Sequence, residues 1–436
     1  MLGQINEFIW GSVLLTLMLI VGLLLTFKTR FLQFTHIGRM FKETVGQLFC
    51  KSNHKNGVSP FEAMSTALSG TMGTGNIVGV GAALVLGGAG ALFWMVISAF
   101  LCMILKFSEV ALSVQFREKD CSGQWQGGPM YYIKNGLPKL YPLATVFCVA
   151  TLLASFGIGN AAQVGAMTAS LQDTFSISPI IIGIATALTT ALVIFGGVKR
   201  ITGFTAKLVP FMTAFYFIGA VYVLIRNRSM LIPALYEVLT DAFDFSSVSA
   251  GVLGFGVSRS LRYGVSRGVF TNEAGMGSAP IVHATANNTP TAQGYWGMFE
   301  VFLDTVVMCT LTGLVILTSG VLNSCPKSGL NLTADAFSTV FGKLGGVFVC
   351  ISVVLFAFGA IIGWSYYGLS CCRFLFKSSL SGTLYKIMFC IAIVISSVFS
   401  ADIIFELSDT LNAFMALPNL IALIFLSPEL IHIIKR

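Results

Sequence analysis

Long apolar runs separated by short basic loops dominate the chain. An apolar window long enough for a bilayer-crossing helix finds about eleven segments, at 8–27, 59–88, 90–116, 142–170, 177–197, 205–226, 246–269, 291–320, 344–376, 384–400 and 402–428. The pattern predicts an all-α polytopic membrane protein.

The second segment departs from the pattern at its middle. Residues 68–80 read Leu-Ser-Gly-Thr-Met-Gly-Thr-Gly-Asn-Ile-Val-Gly-Val, with Gly70, Gly73, Gly75 and Gly79 interleaved with Thr71, Thr74 and Asn76. Glycine weakens a helix interior, and Thr and Asn side chains compete for its backbone hydrogen bonds. Backbone that unwinds at membrane depth is tolerated only where it lines a protein-enclosed site, so the stretch predicts a broken helix and a transporter binding site. Gly75-x-x-x-Gly79 would also suit close helix packing, although packing does not call for two Thr and an Asn at that depth. The spacing, the lack of a βαβ context and the lack of a Lys after the final glycine argue against a phosphate loop.

A second interrupted run, 246–269, carries Gly251, Gly254 and Gly256 and becomes basic towards its end. Two broken spans five helices apart predict a 5+5 inverted repeat. The expected organisation is an N-terminal helix and loop at 1–58 and a ten-helix core at 59–436, with repeats at 59–226 and 246–428.

Composition agrees with this reading. Of 436 residues, 55% are hydrophobic and 10% charged, against roughly a quarter charged in soluble domains. The net charge of +8 sits in short loops and reports orientation rather than nucleic-acid binding. It predicts the N-terminus outside and the C-terminus in the cytoplasm, with Arg226 and Arg228 as the exception. The run 8–27 lacks the basic leader and cleavage site of a signal peptide and is expected to be retained. The ten cysteines read as small buried hydrophobes, and the four scattered histidines suggest no structural metal site.

Several other residues could carry chemistry. Ser59, Pro60 and Glu62 form a helix-start signature, which favours a structural role for Glu62. Ser155, Gly157, Gly159, Asn160 and Gln163 form a polar strip in the 142–170 span, where Gln163 either bonds a neighbouring helix or faces a cavity. Trp364 could cap a small pocket or simply pack. Asp304 lies about 20 Å along its span at ~1.5 Å per residue, near the midplane, with Glu300 one turn earlier on the same face. Asp304 could hold a cation or a proton, or form a buried structural pair with Thr305, a backbone amide or a basic residue. Asp402, Glu406 and Asp409 could draw cations to an outer vestibule or form a solvated face. The segment 127–133 reads as a turn into an interfacial aromatic stretch. The segment 271–280 reads as a hinge or gate, or a well-ordered turn, with Glu273 able to pair with Arg262 or Arg267. His-Glu-x-x-His is absent, and the Gly-x-Ser-x-Gly run at 264–268 lies in a basic helical stretch with no strand before it, which argues against an intramembrane enzyme. Paired broken helices favour alternating access over a channel.

Five stretches together resemble the alanine or glycine:cation symporter family: Gly70-Thr-Met-Gly-Thr-Gly-Asn-Ile-Val-Gly-Val80, Gly127-Gly-Pro-Met-Tyr-Tyr-Ile133, Arg267-Gly-Val-Phe-Thr-Asn-Glu-Ala-Gly-Met-Gly-Ser-Ala-Pro280, Phe299-Glu-Val-Phe-Leu-Asp-Thr305 and Ile362-Gly-Trp-Ser-Tyr-Tyr-Gly368. The resemblance implies a LeuT-type fold of ten core helices preceded by one N-terminal helix. It implies uptake of alanine or glycine across the bacterial cytoplasmic membrane, coupled to a sodium ion and with no other cofactor. The amino acid would sit on Thr71, Gly73, Thr74, Gly75 and Asn76, walled by Gln163, Phe255, Gly256 and Trp364. A sodium ion would involve Gly70, Gly73, Gly359, Ala360 and Asp304.

One departure bears on the ion. The family usually has Ser-Thr where this chain has Gly359-Ala360. A hard cation needs several oxygen ligands, and Gly and Ala offer only carbonyls. The departure predicts weakened or altered coupling, through protons or without a cation. Installing Gly359→Ser with Ala360→Thr is expected to raise the sodium stimulation of alanine uptake in proteoliposomes; an unchanged sodium dependence would refute the link.

Overall fold

A computed structural model describes residues 13–48, 57–120, 123–243, 259–323, 329–399 and 402–435. Its principal helices are α1 (Leu14–Lys28), α2 (Pro60–Thr71), α3 (Val78–Gly87), α4 (Gly90–Gln115), α5 (Tyr141–Phe156), α6 (Ala162–Phe175), α7 (Pro179–Ile194), α8 (Gly197–Arg226), α9 (Leu231–Ala242), α10 (Arg259–Asn272), α11 (Pro290–Val301), α12 (Thr310–Ser319), α13 (Gly329–Phe341), α14 (Lys343–Phe376), α15 (Ser379–Val398) and α16 (Asp402–Lys435). Among the described residues seven helices are long and apolar enough to cross a membrane, and α1, α3 and α7 are shorter apolar helices. The expected seventh span is described only from Arg259 onward, so its glycine break at 251–256 lies outside the described residues, as do Phe255 and Gly256. The side chains of Asp402, Glu406 and Asp409 are also outside them.

The burial pattern is that of a lipid-facing bundle. On α7, Ile181, Ile184, Leu188 and Leu192 point outward at helical spacing, while Ile182, Thr186, Thr190 and Val193 are buried. Small and polar residues thus share the interior and large apolar ones face the hydrocarbon, as expected where lipid replaces water.

Two helices arise where the sequence pattern shows only loops. In α9, Ala234, Val238 and Ala242 are buried and Ile232, Leu235, Tyr236 and Leu239 are exposed. The helix, 12 residues long, is too short for a spanning window. It positions Asp241, whose Oδ2 accepts from the Gly90 amide at 2.6 Å and so caps the first turn of α4. The second, α13, lies along α3 and α14 and places Thr333 near the break described below.

Two long helices contain π turns, at Gly157–Ala161 between α5 and α6 and at Phe302–Cys309 between α11 and α12. Such bulges often mark functional sites. The start of α2 matches its sequence signature, with Ser59 and Glu62 exchanging side-chain and backbone hydrogen bonds. The segment 127–133 forms a turn at Gly128 (φ 115°) into a short helix, Pro129–Gly136. There Tyr132 points inward and bonds Asn419 on α16.

Helix α10 packs along α4 through glycines. A Cβ on Gly264 would stand 2.3 Å from the Ala91 carbonyl oxygen, and one on Gly268 2.7 Å from Ser98 Oγ. This small-xxx-small face brings the two backbones together. Gly264→Val should destabilise the protein by about 1–3 kcal/mol through overpacking, read as a lower unfolding temperature in detergent; an unchanged midpoint would show that the two helices can separate freely.

Candidate amino-acid and cation site at the helix break

The apolar run 59–88 is two helices. Helix α2 ends at Thr71, Met72 and Gly73 leave helical geometry, Thr74–Asn76 form one 3₁₀ turn, and α3 begins at Val78. Inside a membrane the freed backbone groups need partners, and side chains from other helices supply them. The Thr74 amide and hydroxyl both donate to Gln163 Oε1 at 3.2 Å. Gln163 Nε2 donates to the Ile158 carbonyl in the π turn at 3.2 Å. Thr333 Oγ1 donates to the Ile77 carbonyl at 3.1 Å.

Two acids one turn apart bracket the break. Glu300 Oε1 lies 3.3 Å from Thr71 Oγ1 at the end of α2. Asp304, in the π turn, accepts from Asn76 Nδ2 at 2.8 Å and from its neighbour Thr305 Oγ1 at 2.9 Å. Both carboxylates are fully buried. The end of α11 and the π turn that follows it carry the two acids on one face, towards opposite lips of the gap. Asn76 Oδ1 is buried without a hydrogen-bond donor. It is a hard oxygen beside a carboxylate, the donor chemistry a sodium ion takes.

The remaining sequence candidates fall on the α14 side. A Cβ on Gly73 would stand 3.0 Å from Gln163 Oε1 and 3.3 Å from the Ala360 methyl. Gly359 faces Ser69 and Met212, and Gly363 approaches the Gly70 backbone so closely that a Cβ there would stand 2.7 Å from its amide nitrogen. Gly70 in turn leaves room for Tyr367 Oη. A Cβ on Gly75 would stand 3.0 Å from Thr271 Cγ2 on α10. Of the five residues assigned to a cation, Gly70, Gly73, Gly359 and Ala360 therefore lie where α14 crosses α2, while Asp304 lies at the Asn76 lip. Trp364 packs its Cβ against Gly159, edge-on to Tyr367 at 5.6 Å, and donates from Nε1 to Glu273 Oε1 at 3.0 Å.

Glu273 differs from its sequence expectation. Its carboxylate takes Trp364 and Ser278 rather than Arg262 or Arg267, because the 271–280 segment folds inward and buries Ala274, Met276 and Ala279. The turn needs left-handed backbone at Gly275 (φ 85°) and Gly277 (φ 79°). Asn419 on α16 holds it, donating to the Gly275 carbonyl at 2.9 Å and to Glu109.

Sequence reasoning missed Lys106, Glu109 and His283, all fully buried. Lys106 Nζ lies 3.4 Å from Glu300 Oε1, and His283 Nε2 lies 3.0 Å from Glu300 Oε2. Lys106 and Glu109 sit one turn apart in an otherwise apolar span, a signal that intramembrane charge is expected to give. Asn76→Ala removes the donor to Asp304 and leaves the carboxylate short of a partner, at a cost of about 1–3 kcal/mol. It should lower alanine uptake by about tenfold or more at equal surface expression; wild-type uptake in this variant would remove Asn76 from the site.

Comparison with known proteins gives the family. A profile of the sodium:alanine symporter family matches residues 1–436. The chain is 38% identical over 439 residues to the sodium/alanine symporter AgcS of Methanococcus maripaludis, covering 98% of this chain and 94% of that protein. It is 36% identical to the probable sodium/glutamine symporter GlnT of Bacillus subtilis, covering 99% and 89%. A solved structure of a manganese transporter from Eremococcus coleocola superposes with a TM-score of 0.55 at 16% identity, covering 84% of this chain and 76% of that one, a likeness of fold alone. Helix content, the broken span and whole-length similarity converge: the chain belongs to the sodium:alanine symporter family, and is a multi-pass membrane transporter rather than an enzyme.

Proposed function

We propose that this transporter imports alanine or glycine with sodium by alternating access, working in a bacterial cytoplasmic membrane with its N-terminus outside. The observation that carries the reading is the break between Thr71 and Asn76, held by side chains from α6, α11, α13 and the Phe302–Cys309 turn. The start of α3 presents backbone amides and a positive dipole end suited to a carboxylate, and the end of α2 presents carbonyls suited to an ammonium. In this reading Thr71, Gly73, Thr74, Gly75 and Asn76 hold the amino acid, with Gln163 setting the Thr74 amide and Trp364, Phe255 and Gly256 completing the wall. Crowding by Tyr367 and Trp364 favours a small side chain. Two five-helix halves, 59–226 and 246–428, would rock about this point.

Sodium fits best at the Asn76 lip, where Asp304 and Asn76 Oδ1 supply oxygens. At the other position, Gly359 and Ala360 offer no hydroxyl. That gap, with two buried acids at the break, supports proton coupling as the second reading. Labelled alanine and glycine uptake in proteoliposomes, under an imposed sodium or proton gradient, separates the two. Sodium-driven accumulation of alanine is expected. Accumulation driven only by protons would select the second reading, and uptake indifferent to both gradients would refute symport.

A further inference from the structure

A line of polar side chains leads from the exposed Thr289 into the bundle and ends at the break. Asn288 Oδ1 accepts from the Thr289 amide at 2.9 Å. Asn288 Nδ2 donates to Gln293 Oε1 at 2.9 Å, Gln293 Nε2 lies 2.8 Å from His283 Nδ1, and His283 Nε2 lies 3.0 Å from Glu300 Oε2. The other oxygen of Glu300 faces Thr71. His283, Gln293 and Glu300 are fully buried.

The direction of this chain follows from its outer end. A backbone amide can only donate, so Asn288 must turn its oxygen to Thr289 and its nitrogen to Gln293. Gln293 then has only its NH₂ group to offer His283, which makes Nδ1 an acceptor. The ring proton is therefore on Nε2, pointing at Glu300: a neutral imidazole of defined tautomer. At the inner end the Thr71 hydroxyl has one hydrogen and two main choices, Glu300 Oε1 at 3.3 Å or the Leu68 carbonyl of its own helix at 3.3 Å. What His283 does to Glu300 therefore bears on how the last turn of α2 is held.

We infer that Asn288, Gln293 and His283 are positioning residues, a directional hydrogen-bond chain that sets Glu300 against Thr71 and so couples the surface at Thr289 to the amino-acid site. The inference rests on the transport reading for its consequence, not for its geometry. The charged groups that face the chain are Glu300 from α11, Lys106 from α4 and Arg117 just beyond α4, which donates to the Asn288 carbonyl at 3.3 Å, with Glu109 and Glu273 within electrostatic reach of Lys106 and Asp304 within reach of Glu300. Lys106 leaves Glu300 one cationic partner, and the neutral ring leaves it no second. A proton added at His283 Nδ1 would have to turn the Gln293 amide, which would set its NH₂ group against that of Asn288, held in place by the Thr289 amide.

Asn288→Asp tests this from a distance. Aspartate still accepts from Thr289 but cannot donate to Gln293. Gln293 then donates outward and presents its oxygen to Nδ1, which must hold a proton while Nε2 keeps the one facing Glu300. With both nitrogens then donating, the ring draws Glu300 away from Thr71. Alanine uptake by Asn288→Asp should fall at equal surface expression, and in a His283→Gln background Asn288→Asp should have no further effect, because an amide cannot take the second ring proton. Nitrogen-15 spectra of histidine-labelled protein read the tautomer without any transport, with four histidines in the chain and His283 assigned by its loss in His283→Gln. Wild type should show a neutral ring protonated at Nε2, and Asn288→Asp a ring protonated on both nitrogens. A wild-type ring protonated at Nδ1, or an effect of Asn288→Asp on uptake that persists without His283, would overturn the inference. Should Asn288→Asp fail to fold, the wild-type spectrum decides alone. Absence of alanine uptake by wild type would instead fail the transport reading and leave the tautomer result standing.

Discussion

The structure depends on one constraint: backbone unwound inside a membrane must find hydrogen-bond partners in the protein. The six residues from Thr71 to Asn76 cannot complete a helix, and other helices are arranged to complete it for them. Gln163 reaches the Thr74 amide, Thr333 reaches the Ile77 carbonyl, and Glu300 and Asp304 stand at the two lips. Each of these polar side chains would be expensive in the bundle if the break did not give it a partner. The break and its surrounding side chains therefore require each other.

The same constraint accounts for the glycines on α14. Gly363 lets that helix pass the Gly70 backbone at close range, and the Ala360 methyl sits against Gly73. Tight crossing and an exposed binding backbone are the same feature seen from two sides. A hydroxyl-bearing pair at 359–360 would add ligands there and also add bulk to a contact already close. The ion question is thus a question about packing as much as about ligand chemistry.

Buried charge extends the site beyond the break. Glu300 serves Thr71, Lys106 and His283 at once, and Asn419 ties Glu109 to the inward-folded 271–280 loop. These contacts connect α2, α4, α11, α16 and that loop through side chains with few alternative partners. A change at the protein surface can reach the break through them, because a buried donor that turns away leaves its acceptor uncompensated.

The sequence by itself determined the helical membrane architecture, the position of the break and the start of α2. Each depends on local properties: hydropathy over a window, glycine and hydroxyl residues within one run, and a capping pattern three residues long. It also placed Asp304 and Glu300 on one face, since helical spacing fixes that. Only the tertiary structure decided where those faces look. Glu273 bonds Trp364 rather than a nearby arginine, Tyr132 turns inward to Asn419, and Lys106 and His283 meet at Glu300 although 177 positions separate them. Amphipathic α9 and α13 are invisible as spans because each is too short to cross a bilayer, and the helices they pack against, α4 and α3, are distant in sequence. Periodicity reports which side of a helix is apolar; which neighbour meets it is settled by packing between helices, and that is where the buried polar network forms.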